Sequence, residues 1–162
     1  MSAPRVGVGV FAFKRNGTFI LGKRKGSLGS GTFALPGGHL EYGESFTACA
    51  ARELWEETGI QISEEKIHYL TTVNSVFESE GLHYVTVAVG CLLDDDVEPK
   101  VMEPNKCECW QFITWPQLRE YAEQDLQASD NDVKMLFKPM VHFVTQRGFD
   151  PFKALMSMEE QN

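Results

Sequence analysis

Three glutamates in one short segment have the residue type and the spacing to hold a metal ion. Glu53, Glu56 and Glu57 lie at positions i, i+3 and i+4, so on a helix their carboxylates project from one face. Without a cation this arrangement is unfavourable, because like charges repel at that spacing and carboxylates near a helix end face its negative pole. A hard divalent cation such as Mg²⁺ takes oxygen ligands and reverses both effects. The cluster therefore indicates a divalent-metal site.

The residues around the three glutamates make the metal interpretation more specific. An isolated E-x-x-E-E is more often a solvated acidic helix face, by about three to one. At average residue frequencies, however, chance agreement with the wider pattern is on the order of one in ten million. That pattern has nine specified positions in 23 residues: Gly38-x5-Glu44-x7-Arg52-Glu53-Leu54-x-Glu56-Glu57-x-Gly59-Ile60. It favours a functional site over a solvated face.

The segment that carries this pattern also resembles the signature of a known family. Its residues, GGHLEYGESFTACAARELWEETGI, match the Nudix box without a departure, and the chain resembles the Nudix hydrolases. The resemblance implies an α/β fold, the α/β/α sandwich with a mixed β-sheet between helices, formed by residues 1–162 as a single domain. It also implies a loop-helix-loop metal site that binds Mg²⁺ and in which Mn²⁺ is able to substitute.

Four residues are expected to be metal ligands because they match ligand positions of the family. The glutamates that match Glu53, Glu56 and Glu57 bind the metal in that family, and Glu57 and Glu53 match the commonest direct ligands. The residue that matches Gly37 often adds a backbone carbonyl. The resemblance thus implies a ligand set made of oxygen atoms, which suits Mg²⁺.

The reaction that the resemblance implies is hydrolysis of a phosphoanhydride bond. A metal-activated water attacks phosphorus in line, and pyrophosphate or a nucleotide leaves. The general base that takes the water proton is a box glutamate or an acidic residue of a later loop, for which Glu57 and Glu108 are the candidates. Glu44 and Arg52 match a pair that braces the loop against the helix, and such a charge-assisted contact fixes ligand positions.

Further motifs along the chain resemble one branch of the family, the MutT homologue 2 type of nucleotide diphosphatase. They are GKRKGS, LPGGHLE, HYVT and GFDPFK. That branch cleaves guanine (deoxy)nucleoside triphosphates, modified ones included, to the monophosphate and pyrophosphate, and it forms homodimers. The resemblance therefore implies a nucleotide substrate and a homodimer for this chain.

Six residues match positions at which that branch contacts its substrate. They are Arg24 and His39 for the phosphates, Leu35 and Thr86 for the nucleoside, and Met140 and Val141 for the base. Two departures leave the base preference open. Pro139-Met140 stands where the branch has an aromatic-glycine pair, and Ala34 stands where it has glutamine.

Alternatives remain for the substrate residues and for the function. Residues 23–25 fit an ordinary solvated basic loop as well as a phosphate contact, and His39 fits a turn-stabilising hydrogen bond. The same box serves pyrophosphatases of ADP-ribose, NADH or cap structures, and some family members are non-catalytic nucleotide sensors. Because all three box glutamates are intact, we expect an enzyme.

The elements that must position these residues follow from the hydrophobic pattern. The region that carries the box is predicted to form a helix over residues 45–58, which ends at Gly59. A hairpin is predicted over residues 5–13 and 18–21, followed by a mobile basic loop over residues 22–32. Beyond the helix we predict strands at 66–77, 82–93 and 109–114. We also predict a short helix from Pro116 and a helix over 134–146 that Pro139 interrupts. Polar connections are predicted at 94–105 and 124–132.

Composition limits the partners and the compartment. Lys and Arg total 15 and Asp and Glu total 23, so the net charge is −8, the wrong sign for a protein that binds long nucleic acid. The four cysteines form no C-x-x-C pair, which favours a reduced, cytoplasmic setting. Apolar runs are far shorter than the roughly 20 residues of a membrane span, so we expect a soluble protein with no membrane partner.

Overall fold

The computed structural model describes residues 3–146 and 148–161 of the 162-residue chain. Over these ranges it has seven strands, four α-helices and one 3-10 turn at Glu64–Lys66. The strands are β1 (Arg5–Phe13), β2 (Thr18–Arg24), β3 (Phe33–Ala34), β4 (Gly37–His39), β5 (His68–Phe77), β6 (Leu82–Leu92) and β7 (Cys107–Thr114). The helices are α1 (Phe46–Thr58), α2 (Trp115–Gln127), α3 (Lys138–Thr145) and α4 (Pro151–Glu159).

Strand β1 is the centre of a mixed sheet. It pairs in parallel with β6 along its whole length, and its other edge pairs antiparallel with β4 and with the start of β2. The strand order is β3-β2-β1-β6-β5, with β4 on β1 and β7 on β2. In this register Gly7 has His39 on one side and Thr86 on the other. The sheet therefore brings β4 and β6, which are distant in sequence, to the same end of β1.

Two hydrophobic cores lie on the two faces of this sheet. Side chains alternate between the faces of a strand, and in β1 Val8 and Val10 pack in the core that includes α1. Phe11 and Phe13 pack in the opposite core, together with buried residues of α2, α3 and α4. The helices thus cover both faces, and the predicted α/β/α sandwich with a mixed β-sheet between helices is confirmed.

An aromatic cluster ties the second core to the sheet. The Phe11 ring is fully buried, and its centroid lies 5.3 to 6.1 Å from those of four neighbouring rings, Phe13, Phe19, Trp115 and Phe143. Three of these four contacts have the edge-to-face geometry that aromatic pairs prefer. One side chain of β1 therefore connects β2 with α2 and α3.

The predicted hairpin and the helix over residues 45–58 are found, but several predicted boundaries differ. The strands predicted over 66–77 and 82–93 are β5 (His68–Phe77) and β6 (Leu82–Leu92). Strand β2 runs on to Arg24, because pairing with β3 and β7 extends it into the Gly-rich segment. Helix α2 continues to Gln127, so the connection predicted from residue 124 begins later. Strand β7 begins at Cys107 rather than Cys109.

The predicted helix over residues 134–146 is wrong in its first half. Helix α3 begins at Lys138, and Pro139 lies in its first turn, where the missing N–H of proline has no helical partner to lose. Proline therefore starts this helix and does not interrupt it.

The sequence prediction also missed β3, β4 and α4, the last of which begins with a side-chain cap from Asp150. Among the helices of the described residues, none is long and apolar enough to cross a membrane.

Candidate active site

Helix α1 has a side-chain cap at its start and a glycine at its end, which fix its position beside β4. The Ser45 hydroxyl accepts a hydrogen bond from the Ala48 backbone N–H at 3.1 Å, which satisfies one of the free donors of the first turn. Gly59 ends the helix with φ of 76°, the left-handed conformation common at helix ends. The last two turns therefore present Glu53, Glu56 and Glu57 to the strand.

Arg52 is the centre of a network of carboxylates. Its Nε and Nη2 donate to the two oxygens of Glu44 at 2.7 and 2.8 Å, the two-point geometry that suits a guanidinium and a carboxylate. Its Nη1 donates to Glu53 at 2.8 Å and to Glu56 at 3.4 Å. Its Nη2 also reaches the backbone carbonyl of His39 at 3.3 Å. One side chain thus joins the loop before α1, the helix itself and the end of β4.

The Glu44 carboxylate is strongly favoured as an anion in this network. The hydrogen bonds from Arg52 lower the pKa of Glu44 to about 2, although partial burial acts in the opposite direction. Glu44 also accepts the Glu41 backbone N–H at 2.9 Å. The contact between Glu44 and Arg52 was expected from the resemblance, and here it closes the loop between β4 and α1.

Glu53 packs directly against the backbone of β4. Its side chain is buried, with 9% of the residue exposed, and burial raises the pKa of its carboxyl against the opposing effect of Arg52. A Cβ atom added at Gly38 would overlap the Glu53 carboxylate. Only a residue without a side chain lets the strand and the carboxylate approach this closely.

Glu57 is partly buried beside the first residue of β4. One of its oxygens, Oε2, accepts the backbone N–H of Gly37 at 3.1 Å. The pKa of Glu57 is raised to about 8, mainly by burial and also by the nearby charges of Glu53 and Glu103, while the Gly37 hydrogen bond and the charge of Lys106 act in the opposite direction. Gly37 thus contacts Glu57 through its N–H, and a carbonyl ligand role for Gly37 stays a prediction.

The donors around Glu57 suit a divalent cation in chemistry but do not form a ready-made cage. Across residues 3–146 and 148–161, no three His, Cys, Asp or Glu side chains converge closely enough to hold a metal. The side chain of Glu56 is 41% exposed. The donors are nevertheless hard oxygens, and burial of Glu53 and Glu57 disfavours their charged forms, a cost that a divalent cation would offset. The residues therefore fit such an ion.

Glu103 belongs to this neighbourhood and was missed from the sequence. Its Oε1 is the buried side-chain oxygen without a hydrogen-bond partner among the described residues, and its other oxygen pairs with Lys106 at 3.3 Å. Its charge acts on Glu57. The residue lies in a polar connection between strands, with no spacing that marks it as functional. Only the fold brings it near the box.

Glu108, the expected alternative base, lies elsewhere on β7. Its side chain is 53% exposed and pairs with Lys23 at 3.5 Å, and the structure gives it no contact with Glu53, Glu56 or Glu57 among the described residues. Its assignment as a base stays a prediction. Glu103 is the later-loop carboxylate whose charge reaches Glu57.

The two residues expected at the phosphates lie on separate strands around this site. Arg24 ends β2, and its charge interacts with Glu57 and Tyr84. His39 ends β4, where its Nε2 is 3.0 Å from the Tyr84 hydroxyl and the two rings stack at 5.5 Å between centroids. Tyr84 was given no role from the sequence, yet it contacts His39 and is near enough to Arg24 for an electrostatic interaction.

The expected nucleoside and base contacts differ in how accessible they are. Thr86 is half-buried on β6 beside Gly7, and Leu35 is half-buried against Gly9. Val141 is half-buried, whereas Met140 is only 2% exposed and belongs to the core under α3. The Met140 side chain therefore has almost no surface for a ligand in this arrangement.

The family of the chain follows from its fold, its box and a family model. The model of the NUDIX domain matches residues 3–137, which includes every strand and the glutamate helix α1. The chain belongs to the Nudix family, whose hydrolases generally use divalent metal ions such as Mg²⁺ or Mn²⁺. The mixed sheet and its flanking helices are the fold of that family.

Solved structures agree with this membership. A MutT NUDIX hydrolase from Burkholderia pseudomallei is 26% identical, with a TM-score of 0.66 over 89% of this chain and 100% of that one. The NUDIX domain of NrtR from Shewanella oneidensis, complexed with ADP ribose, is 17% identical with a TM-score of 0.61, covering 99% and 90%. A bifunctional NMN adenylyltransferase/ADP ribose pyrophosphatase from Francisella tularensis, complexed with AMP and a Mn ion, is 17% identical with a TM-score of 0.57, covering 99% and 42%.

Proposed function

We propose that this chain hydrolyses a phosphoanhydride bond in (deoxy)nucleoside triphosphates, of guanine type or modified, and releases the monophosphate and pyrophosphate. The observation that carries the proposal is the Arg52 network, which holds Glu44, Glu53 and Glu56 beside Glu57. In a merely solvated acidic helix face, burial of the Glu53 and Glu57 carboxylates would cost desolvation free energy with no compensating interaction.

Glu53, Glu56, Glu57 and the carbonyl of Gly37 are the residues that would hold Mg²⁺, with Mn²⁺ able to substitute. When bound, the ion supplies a water of lowered pKa and countercharge for the phosphate oxygens. Arg52 contributes by fixing the carboxylates, because the two-point contact with Glu44 removes the freedom that a loop would otherwise have.

The remaining residues bind the nucleotide and accept the proton. Arg24 and His39 donate to phosphate oxygens, and Leu35 and Thr86 contact the nucleoside, with the segment around Met140 and Val141 near the base. Glu57 takes the proton of the attacking water, and Glu108 is the alternative base. The buried, unpartnered oxygen of Glu103 makes Glu103 a third candidate for the proton or for the ion.

A second candidate function is hydrolysis of ADP-ribose, NADH or a cap-type substrate. The observation that favours it is the fold likeness to the Shewanella domain, which was solved with ADP ribose. A non-catalytic domain that senses nucleotides is the third reading, and the intact glutamates oppose it. We further propose a cytoplasmic homodimer, on the resemblance to the nucleotide diphosphatase branch and on the cysteine pattern.

The test is a comparison of products across a substrate panel. Wild type, Glu56→Gln and the control Glu65→Gln are incubated with Mg²⁺ and dNTPs, NTPs, ADP-ribose, NADH or cap analogue, and products are separated by chromatography. Glu65 is an exposed glutamate of the 3-10 turn, so it matches the charge change without touching the site. We expect wild type to release monophosphate and pyrophosphate from guanine triphosphates. The rate of this cleavage should fall roughly 100-fold in Glu56→Gln and should stay at the wild-type level in Glu65→Gln.

The other outcomes separate the alternatives. Cleavage confined to ADP-ribose, NADH or cap analogue would keep the reaction type and overturn the substrate. No cleavage of any compound would support the sensor reading. An unchanged Mg²⁺ affinity of Glu56→Gln in a calorimetric titration would overturn the assignment of Glu56 as a ligand.

A further inference from the structure

Arg24 has an unusual environment for a cation next to an acidic site. Its guanidinium lies over the ring of Phe137, 4.0 Å from the ring centroid, well inside the range of a cation–π contact. Its Nε donates to the backbone carbonyl of Leu28 at 3.0 Å. Burial lowers the pKa of Arg24, and the charge of Glu57 acts in the opposite direction. The side chain is thus held by a ring and a carbonyl.

The terminal nitrogens of Arg24 have no protein partner among the described residues. No ion pair or hydrogen bond of Nη1 or Nη2 is formed there, and neither atom is buried without a partner, so both reach solvent. An ion pair with a carboxylate would occupy these donors. An aromatic ring orients the guanidinium through its face and leaves the donors free.

Phe137 is itself fixed by contacts on several sides. Its backbone N–H donates to the Phe33 carbonyl at 3.0 Å, and Phe33 in turn donates to Met135 at 2.9 Å. Its ring packs on Phe77 with 5.4 Å between centroids. A Cβ atom at Gly29 would lie 2.6 Å from the ring, so the basic loop also packs against it. The ring therefore has little freedom to move.

We propose that Phe137 is a positioning residue that holds the guanidinium of Arg24 where its free donors meet the phosphate oxygens of the substrate. The proposal rests on the proposed function, which supplies a triphosphate as the anion. Phe137 lies one residue before α3, so this helix, which packs on the sheet through Phe143, sets the direction of an arginine that belongs to β2.

The rival explanation is that Phe137 serves only as part of the core. A core role predicts that shortening the side chain lowers stability and leaves anion binding unchanged in the folded protein. A positioning role predicts weaker anion binding that a second aromatic side chain restores. Phe152 provides a matched control, because it is also half-buried and packs on another ring, Phe13 at 5.1 Å.

The first experiment measures position and binding without any need for catalysis. The Nε–H resonance of Arg24 is followed by NMR in wild type, Phe137→Leu, Phe137→Tyr and Phe152→Leu, and each is titrated with inorganic tripolyphosphate. We expect a ring-current shift of this resonance in wild type that Phe137→Leu loses. We also expect tripolyphosphate affinity to fall roughly 2- to 30-fold in Phe137→Leu, with wild-type affinity in Phe137→Tyr and Phe152→Leu.

The second experiment asks whether Phe137 acts through Arg24. Phe137→Leu is introduced into wild type and into Arg24→Gln, and kcat and KM for a guanine triphosphate are measured with Mg²⁺. We expect kcat/KM to fall in wild type and not to fall further in Arg24→Gln, because the two residues act as a unit. Thermal denaturation of each variant verifies that it is folded at the assay temperature.

Each contrary result overturns the positioning role. An equal loss of kcat/KM in both backgrounds would mean that Phe137 does not act through Arg24. Unchanged tripolyphosphate affinity in folded Phe137→Leu, or no tripolyphosphate binding by wild type, would also overturn it. If instead wild type binds tripolyphosphate through this pair but cleaves no triphosphate, the positioning role stands and the proposed hydrolysis fails.

Discussion

At the residue scale, the Gly38 backbone and the Glu53 carboxylate are in close contact. A side chain on β4 at this point would overlap the carboxylate, and Glu53 is also held by Arg52 at 2.8 Å. The glutamate is therefore fixed between a backbone and a guanidinium. Its position depends on the absence of a Cβ atom as much as on any hydrogen bond.

Gly38→Ala tests this dependence. We expect a loss of about 1 to 3 kcal/mol in the free energy of unfolding, the usual cost of overpacking. We also expect Mg²⁺ affinity to fall roughly 10- to 100-fold, since a displaced support has that effect on metal ligands. Urea denaturation and calorimetric titration with Mg²⁺ measure the two quantities.

Gly7→Ala is the matched control for Gly38→Ala. A Cβ atom at Gly7 on the neighbouring strand would meet only ordinary contacts, at 3.8 Å from the Gly38 carbonyl and 4.0 Å from the Thr86 hydroxyl. Its free energy of unfolding should stay within about 1 kcal/mol of wild type. Equal losses in the two variants would mean that strand propensity, and not the Glu53 contact, explains the effect.

Residues joined by local spacing could be predicted from the sequence, and residues joined only by the fold could not. The three box glutamates share one helix, so helical geometry alone puts them on one face. Glu103 and Phe137 lie far from the box in sequence. Backbone hydrogen bonds from Lys100 and Met102 to the end of α1 hold the loop of Glu103 near the box, and a backbone hydrogen bond to Phe33 holds Phe137. Nothing in their neighbourhoods distinguishes them from an ordinary loop glutamate and a core phenylalanine.

The start of α1 is the first feature whose contribution can be measured at the element scale. Ser45 caps the helix through its hydroxyl at 3.1 Å. Ser45→Ala should lower the free energy of unfolding by about 1 kcal/mol, within a range of roughly 0.5 to 2. Chemical denaturation measures the difference.

Ser63→Ala is the control for the cap. Ser63 precedes the 3-10 turn, and its side chain makes no capping hydrogen bond, so the substitution should change the free energy of unfolding by less than about 0.5 kcal/mol. A loss as large as that of Ser45→Ala would show that the capping bond is not the cause.

The attachment of α3 to the edge strand β5 should depend on pH. His142 of α3 lies with Nδ1 2.6 Å from the Ser75 hydroxyl of β5, and burial, followed by the charge of Lys138, lowers the pKa of His142 below its ordinary value of 6.5. Protonation is then easier in the unfolded chain than in the folded one. The stability that neutral His142 contributes is present above about pH 6.5 and is lost as pH falls through its lower folded-state pKa.

Thermal denaturation between pH 7.5 and 5.5 measures this dependence. We expect lowering the pH to shift the Tm of wild type downward relative to the Tm of His142→Gln, which has no group to protonate at this position. Glu57, whose pKa is about 8, titrates in both proteins, so its effect cancels in this difference. Glu44 does not interfere, because its pKa is about 2 and its contribution is lost only below its unfolded value of about 4.3. Parallel Tm profiles for the two proteins would contradict the role given to His142.

Elements with local start and stop signals were predicted well, and elements that depend on a partner were not. Helix α1 has Ser45 before it and Gly59 after it, and both signals act within one turn. The short strands β3 and β4 exist only because β2 and β1 lie beside them. In α3 and α4, a proline in the first turn starts the helix. The hydrophobic pattern predicted instead that Pro139 interrupts a longer helix, and it did not predict α4.

At the scale of the whole molecule, β1 is shared by both cores. Val10 faces one core and Phe11 the other, and both are fully buried. Strand β1 therefore supports the helices on both faces of the sheet. A substitution that destabilises one core should therefore destabilise the other core as well, because both cores include side chains of β1.

Phe11→Ala tests that coupling. We expect a loss of about 3 to 5 kcal/mol in the free energy of unfolding, as for other large buried aromatics. We also expect one unfolding transition that is the same by far-UV circular dichroism and by tryptophan fluorescence. Val10→Ala, on the opposite face, should shift the same single transition by a smaller amount. Two separate transitions in either variant would mean that the two cores unfold independently.

The parallel pairing of β1 with β6 has a consequence for how the chain folds. Residues 5–13 pair with residues 84–92, so β1 finds this parallel partner only across a sequence separation of some 80 residues, whereas its antiparallel partners β2 and β4 are nearer in sequence. Contacts of such long sequence separation slow folding, since the loop-closure entropy must be spent before they form. During synthesis the apolar strand β1 is made before β6 and has no parallel partner until β6 has been made. The register that places Thr86 of β6 beside Gly7 of β1 therefore forms only after β6 has been made.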